Sequence, residues 1–160
     1  MHSDSLTKKG VLFARIKLAK GFLNVFTTHT QASYIYPKKE DELPSFVVRL
    51  NQLSVIKEFM ELQLVQTNSP NDLSLLLGDL NVNANESNYP MEQVLGYFEG
   101  GAQIRENIVA SPGNEYDLMM YLFNNPTSKL RVSDCMYERH KTFKVTYGDT
   151  LLDENRPLVE

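Results

Sequence analysis

The chain has 160 residues and carries 16 Lys and Arg against 20 Asp and Glu, so its formal net charge is −4. Hydrophobic residues make up 42% of the sequence, which is typical of a globular domain with a core of its own. The acidic balance argues against a nucleic-acid-binding protein that relies on a broad basic face. No apolar run approaches the ~20 residues of a membrane-spanning helix, and the single cysteine, Cys135, excludes an internal disulfide.

The N-terminal part of the chain has the pattern of a β-hairpin. Apolar and polar residues alternate over 11–18, which predicts a half-buried strand. Residues 19–21 then provide a short turn ending in glycine, and residues 22–28 predict the returning strand. His29 therefore lies at or just past the carboxyl end of the second strand.

A long amphipathic helix is predicted next, after a charged loop over 34–45. Ser45 is a plausible N-cap, and turn-forming residues end the helix near Gln66. Residues 73–77 predict a short buried strand, which runs directly into residues 78–81. The apolar stripe of the helix recurs at three- and four-residue spacing and consists of Phe46, Leu50, Leu53, Ile56 and Met60.

The second half of the chain predicts two further helices, over 91–98 and 115–123, and one strand over 144–147. The order strand, strand, helix, strand, helices is an α/β (α+β) arrangement. The whole chain, residues 1–160, is expected to form one domain.

Polar side chains that could carry chemistry follow two of the predicted strands. His29 ends the second strand, and Asp79 and Asn81 follow the third. A lone histidine often serves only as a hydrogen-bonding group, and Gly, Asp and Asn are preferred in ordinary turns, so structural roles stay open. Polar residues at the carboxyl ends of strands in α/β folds also often line active sites. These three residues are therefore the candidate site.

Five segments of the chain carry a family resemblance. They are Lys9-Gly10-Val11-Leu12-Phe13-Ala14-Arg15-Ile16, Thr28-His29-Thr30-Gln31-Ala32-Ser33, Arg49-Leu50-Asn51-Gln52-Leu53, Leu77-Gly78-Asp79-Leu80-Asn81-Val82-Asn83 and Val145-Thr146-Tyr147-Gly148-Asp149. In this order they resemble the endonuclease/exonuclease/phosphatase family, which has the deoxyribonuclease-I-like fold, and within it the neutral sphingomyelinase branch. The resemblance is best over 9–84 and weaker over 140–149.

The resemblance implies a fold, a cofactor and roles for the candidate residues. The fold would be part of a four-layer α/β sandwich, and the activity would be Mg²⁺-dependent hydrolysis of phosphate esters, with Mn²⁺ as an alternative ion. His29 matches a histidine that contacts a phosphoryl oxygen, and Asp79 matches an aspartate that helps to hold the metal and exchanges protons. Asn81 matches an amide that donates to the phosphate and lies close to the metal. Thr28 and Gln31 would be neighbours of this site.

The chain also departs from the family pattern. The family's principal metal ligand, a glutamate, and an asparagine of the same site would precede residue 9, and neither has a counterpart here. The family's Asp–His general base follows a later strand, and the later histidine of this chain, His140, lacks the Ser-Asp that precedes the family's histidine. We therefore expect the chain to correspond to the middle of such an enzyme, to be inactive on its own and to leave apolar sheet faces uncovered.

Three classes of function remain after this comparison. The first is a phosphodiesterase that resembles sphingomyelin phosphodiesterase, with a phospholipid substrate, phosphocholine as product and a membrane surface as a partner. The second is another hydrolase of the same fold, either an inositol-phosphate phosphatase or a nuclease, although the Lys and Arg residues form no dense basic stripe. The third is a non-catalytic interaction fragment.

Overall fold

The computed structural model describes residues 8–33, 43–66, 69–82, 84 and 115–142. Within these ranges the fold is α+β, with one three-stranded mixed sheet and three helices. None of the described helices is both long enough and apolar enough to cross a membrane. The elements in chain order are β1 (Val11–Lys17), β2 (Phe22–His29), α1 (Leu43–Val65), β3 (Leu73–Asp79), α2 (Glu115–Asn124) and α3 (Cys135–His140).

The sheet brings the ends of β2 and β3 together. Its strand order is β1-β2-β3, in which β1 and β2 form the predicted antiparallel hairpin with Val11 opposite Thr28. Strands β2 and β3 are parallel, and His29 lies opposite Asp79 at their carboxyl ends. Parallel neighbours need a crossover connection, and the segment that contains α1 makes it.

The hydrophobic core lies between α1, α2 and one face of the sheet. The predicted stripe of α1 is confirmed, because all five of its residues are buried. From the sheet, the Phe26 ring is fully buried and stacks on Phe13, with ring centroids 4.7 Å apart. The rings of Phe59 from α1 and Phe26 are nearly perpendicular, with centroids 6.1 Å apart, an arrangement that aromatic pairs favour. The core thus fixes α1 against β2, the strand that carries His29.

The opposite face of the sheet is exposed. The prediction of a buried third strand is wrong, since Leu73, Leu75 and Leu77 are all exposed and only Leu76 packs against the core. Leu12 of β1 is also exposed, with 73% of its surface accessible. The physical reason is that the described helices cover one face of the sheet only. The expectation of an uncovered apolar sheet face is met within the described residues.

The start of α1 differs from the prediction. Ser45 is not the N-cap, because the helix already begins at Leu43. Pro44 is compatible with this earlier start. Backbone N–H groups in the first helical turn have no intrahelical acceptor, so a proline, which has no N–H, loses no hydrogen bond there. The predicted helix over 115–123 is confirmed as α2, whereas the predicted helix over 91–98, the strand over 144–147 and most of the charged loop lie outside the described residues.

The sequence pattern does not predict the short helix α3, of which His140 is the last residue. Asp134 caps the helix, since its carboxylate accepts hydrogen bonds from the backbone N–H groups of Met136 and Tyr137. The same carboxylate accepts from the Tyr116 hydroxyl of α2 at 3.1 Å. The Asp134 side chain therefore ties α2 to α3.

Ionisation of the Tyr116 hydroxyl is expected to lower the stability of the fold at alkaline pH. Burial, together with the hydrogen bond to Asp134, raises the pKa of Tyr116 from 10.0 to about 12. Because the neutral phenol is favoured in the folded state, its contribution to stability is complete below pH 10 and is lost as the pH rises towards 12. We expect Tyr116→Phe to be less stable than the wild type at pH 8 and to lose less stability between pH 10 and pH 12. Urea unfolding across this range checks the expectation, and identical pH slopes for the two proteins would contradict it.

Candidate functional site

Two of the predicted site residues are neighbours across the sheet. His29 and Asp79 are paired in the β2–β3 register, and the His29 Nε2 and Asp79 Oδ2 atoms lie 4.0 Å apart. Both side chains are largely exposed, 63% for His29 and 67% for Asp79. This pair is therefore open to a ligand and sits where the two parallel strands end.

Gly78 sets the position of Asp79. Its φ is +119°, and a Cβ built on it would lie 2.0 Å from the carbonyl oxygen of Thr28 on the neighbouring strand. A side chain at this position would meet backbone that cannot give way. Gly78 therefore allows β3 to approach β2 closely just before the chain reaches Asp79.

Asn81 is held beside the same edge by two hydrogen bonds. Its backbone N–H donates to Asp79 Oδ1 at 2.9 Å, which closes a turn typical of aspartate. Its φ is +50°, in the left-handed region that asparagine adopts more readily than most residues. Its side-chain Nδ2 donates to the Thr30 carbonyl oxygen at 3.2 Å. The structure thus brings His29, Asp79 and Asn81 to one edge of the sheet.

Thr30, to which the sequence assigned no role, makes several of the hydrogen bonds that connect the ends of β2 and β3. It is buried, its N–H donates to the Asp79 carbonyl at 3.0 Å, and its hydroxyl donates to the Leu80 carbonyl. Its own carbonyl accepts from Asn81 and, at 2.7 Å, from the Lys9 ammonium. Thr30 therefore joins the segment after β2 to the segment after β3.

Lys9 brings a positive charge to the site, and the sequence also assigned it no role. Its position could have been found from the hairpin register. Val11 pairs with Thr28, so continuing the antiparallel pairing by two residues places Lys9 opposite Thr30. A cation at this edge favours an anionic ligand.

The segment after His29 is fastened to α1 by two side chains. Gln52 Oε1 accepts a hydrogen bond from the Gln31 backbone N–H at 2.7 Å. Arg49 Nη1 donates to the Gln31 carbonyl at 3.1 Å and to the Ser33 hydroxyl at 2.7 Å. The rest of the Arg49 guanidinium pairs with Glu115 of α2 through contacts of 2.6 and 2.8 Å, and both of these side chains are buried. The Arg49–Gln52 segment is thus a support for the loop that follows β2.

The two residues expected to be neighbours of the site have structural contacts. The Thr28 hydroxyl donates to the Gly10 carbonyl at 2.8 Å and strengthens the hairpin. Gln31 contributes its backbone to the contacts with α1. His140 is the last residue of α3 and does not belong to β2 or β3, the strands whose ends form the candidate site.

The oxygen donors of the site suit a hard cation that keeps much of its water. The candidate ligands are the Asp79 carboxylate and the Asn81 amide oxygen. Mg²⁺ is commonly bound by one or two carboxylates together with waters and substrate phosphate oxygens. No group of three or more His, Cys, Asp or Glu side chains that could hold a metal ion exists among the described residues. Among the described residues, this donor set is compatible with an Mg²⁺ ion that keeps several of its waters.

Comparison with known proteins gives one informative similarity. No protein-family model matches the chain. A curated protein of Dictyostelium discoideum named a sphingomyelinase is 34% identical over 107 residues, an alignment that covers 53% of this chain and 22% of that protein. The chain thus spans about a fifth of the length of this relative. The solved structure of SmcL is 22% identical, with a TM-score of 0.44, over 71% of this chain and 43% of that one. The chain is sphingomyelinase-like in sequence over about half of its length.

Proposed function

We propose that the edge formed by His29, Asp79 and Asn81 is the phosphate-binding part of a sphingomyelinase-type phosphodiesterase site, which acts on sphingomyelin and releases phosphocholine. The observation that carries the proposal is the convergence of these three side chains at the carboxyl ends of β2 and β3. The similarity to a curated sphingomyelinase supports the choice of a phospholipid substrate.

Each side chain has a role that its chemistry allows. The His29 imidazole donates a hydrogen bond to a non-bridging phosphoryl oxygen. The Asn81 amide nitrogen carries two hydrogens, so it can donate to a second phosphoryl oxygen while keeping its contact with Thr30. The exposed Asp79 carboxylate and the Asn81 amide oxygen would hold Mg²⁺, which would neutralise charge on the phosphoryl oxygens.

Binding and turnover are expected to separate in this chain. Because no group of three or more His, Cys, Asp or Glu side chains that could hold a metal exists among the described residues, the proposed Mg²⁺ site is incomplete within them. We propose that the chain is a fragment of the catalytic unit, so that it binds the phosphocholine group while it hydrolyses sphingomyelin at a rate close to the uncatalysed background.

The proposal is tested by calorimetric titration of phosphocholine with and without Mg²⁺. We expect Mg²⁺ to strengthen binding, and Asp79→Asn to weaken the Mg²⁺-dependent binding by about tenfold or more, since even changes to the partners of metal ligands have effects of this size. Glu138→Gln, which removes an exposed carboxylate on α3, is the matched control and should bind as the wild type does.

Three outcomes would contradict the proposal. Equal affinities of the wild type and Asp79→Asn in Mg²⁺ would remove Asp79 from the site. Tighter binding of inositol 1-phosphate or of a dinucleotide than of phosphocholine would replace the proposed substrate class by that of a phosphatase or a nuclease. Sphingomyelin turnover well above background by the chain alone would overturn the fragment assignment.

A further inference from the structure

We propose that Gln52 and Arg49 of α1 are positioning residues for Asn81, acting through the two peptide units that follow Thr30; this inference rests on the proposed function, in which Asn81 donates to the phosphate. Gln52 contacts the Gln31 backbone, and Arg49 contacts the Gln31 backbone, Ser33 and Glu115. Their effect on the site would pass through the backbone between Thr30 and Ser33.

The peptide unit between Thr30 and Gln31 is held from both sides. Its N–H, which belongs to Gln31, donates to Gln52 at 2.7 Å. Its carbonyl, which belongs to Thr30, accepts from the Asn81 side chain at 3.2 Å and from the Lys9 ammonium at 2.7 Å. A peptide unit is planar, and in the trans form its N–H and carbonyl point in opposite directions. Fixing the N–H therefore fixes the direction in which the carbonyl meets Asn81.

The next peptide unit is fixed in the same way. Its carbonyl, which belongs to Gln31, accepts from Arg49 Nη1 at 3.1 Å, and the same nitrogen donates to the Ser33 hydroxyl. Arg49 is itself immobilised by its two-point contact with Glu115 on α2, where both groups are buried. A guanidinium held in this way presents its remaining N–H groups in a fixed direction. Two adjoining peptide units are thus aligned by one face of α1.

A second contact between α1 and a loop resembles that of Gln52 but does not involve the residues of the candidate site. Glu61, on the same helix, accepts from the Lys129 backbone N–H at 2.9 Å and from the Ser128 hydroxyl at 3.2 Å. Gln52 and Glu61 are therefore both α1 side chains that accept from a loop N–H, but only the loop held by Gln52 leads to the candidate site. Comparing the two separates positioning from general stabilisation.

The test uses four variants of the full chain and two readouts that need no activity. Gln52→Met removes the acceptor for the Gln31 N–H, whereas Gln52→Glu keeps an oxygen acceptor there. The double change Arg49→Met with Glu115→Leu replaces the buried pair by apolar side chains of similar size, a replacement that often preserves stability. Glu61→Met is the control. The readouts are the NMR signals of the Asn81 side-chain amide and the hydrogen-exchange rate of the Thr30 backbone amide.

We expect Gln52→Met and the double variant to shift the Asn81 side-chain signals and to speed exchange at Thr30 by about tenfold. Gln52→Glu and Glu61→Met should keep the wild-type values of both. Phosphocholine affinity in Mg²⁺ should fall by about tenfold in the first two variants only, since partners behind a binding residue have effects of this size.

Wild-type Asn81 signals in Gln52→Met would overturn the inference, as would equal changes in Glu61→Met, which would mean that only stability had changed. Failure of the proposed function would look different. In that case the wild type would not bind phosphocholine, while the NMR comparison of the four variants would still decide whether Gln52 and Arg49 position Asn81.

Discussion

Replacing Arg49 with methionine is expected to lower the free energy of unfolding by about 3–5 kcal/mol, because it leaves the Glu115 carboxylate buried without its counter-charge. Arg49 is 1% exposed and Glu115 is 5% exposed, and they meet through two contacts of 2.6 and 2.8 Å. The substitution also removes the hydrogen bonds that the Arg49 guanidinium donates to Gln31 and Ser33. Urea unfolding at pH 7 measures the change.

Two further variants make this expectation specific. Lys141→Met removes a partner of Glu138 from an exposed pair, 66% and 59% accessible, and should cost less than ~1 kcal/mol. Adding Glu115→Leu to Arg49→Met should recover most of the lost stability, since the uncompensated buried charge is then gone. If Arg49→Met lowers the free energy of unfolding no more than Lys141→Met does, the expectation that the buried Arg49–Glu115 pair stabilises the fold is contradicted.

Gly78→Ala is the second substitution with a large expected effect. The φ of +119° is strained for any residue with a side chain, and the new Cβ would lie 2.0 Å from the Thr28 carbonyl oxygen. We expect a loss of about 3 kcal/mol in the free energy of unfolding, near the upper end for a single backbone strain. The strand must also move away from β2, which separates Asp79 from His29.

Gly10→Ala is the matched control for this substitution, because a Cβ at Gly10 meets nothing within 4 Å. It should change the unfolding free energy by less than ~1 kcal/mol. The separation of Asp79 from His29 can be followed through the His29 imidazole NMR signals, which should shift in Gly78→Ala and not in Gly10→Ala. Equal stabilities of the two variants would show that β2 and β3 tolerate a side chain between them.

The parts of the fold that sequence could predict are those set by local periodicity. The alternation in β1 predicts a strand but not its buried side, since Leu12 and Ile16 of its apolar face are exposed while Val11 and Phe13 pack against the core. The three- and four-residue spacing in α1 does mark the buried side of that helix. Their order placed His29 and Asp79 at strand ends, and the β2–β3 register makes them neighbours. The carboxyl ends of two parallel strands necessarily meet at one edge of a sheet, so this part of the candidate site follows from the order of elements.

The remaining features depend on contacts between distant residues. Arg49 and Glu115 are 66 positions apart, and no local pattern indicates that they pair. Leu73, Leu75 and Leu77 of β3 look like core residues in sequence, but α1 covers only the other face of the sheet, so they are exposed. The pattern does not place the start of α1 correctly, because Pro44-Ser45 suits two positions. Ser45 could be the N-cap, or both residues could lie in the first helical turn, as they do.

The most direct test of the account is an NMR titration of the chain with phosphocholine in the presence of Mg²⁺. The account predicts that the shifted signals are concentrated at His29, Asp79 and Asn81, and that they are lost in Asp79→Asn. Shifts concentrated at the exposed leucines of β3, or shifts that Asp79→Asn leaves unchanged, would contradict it.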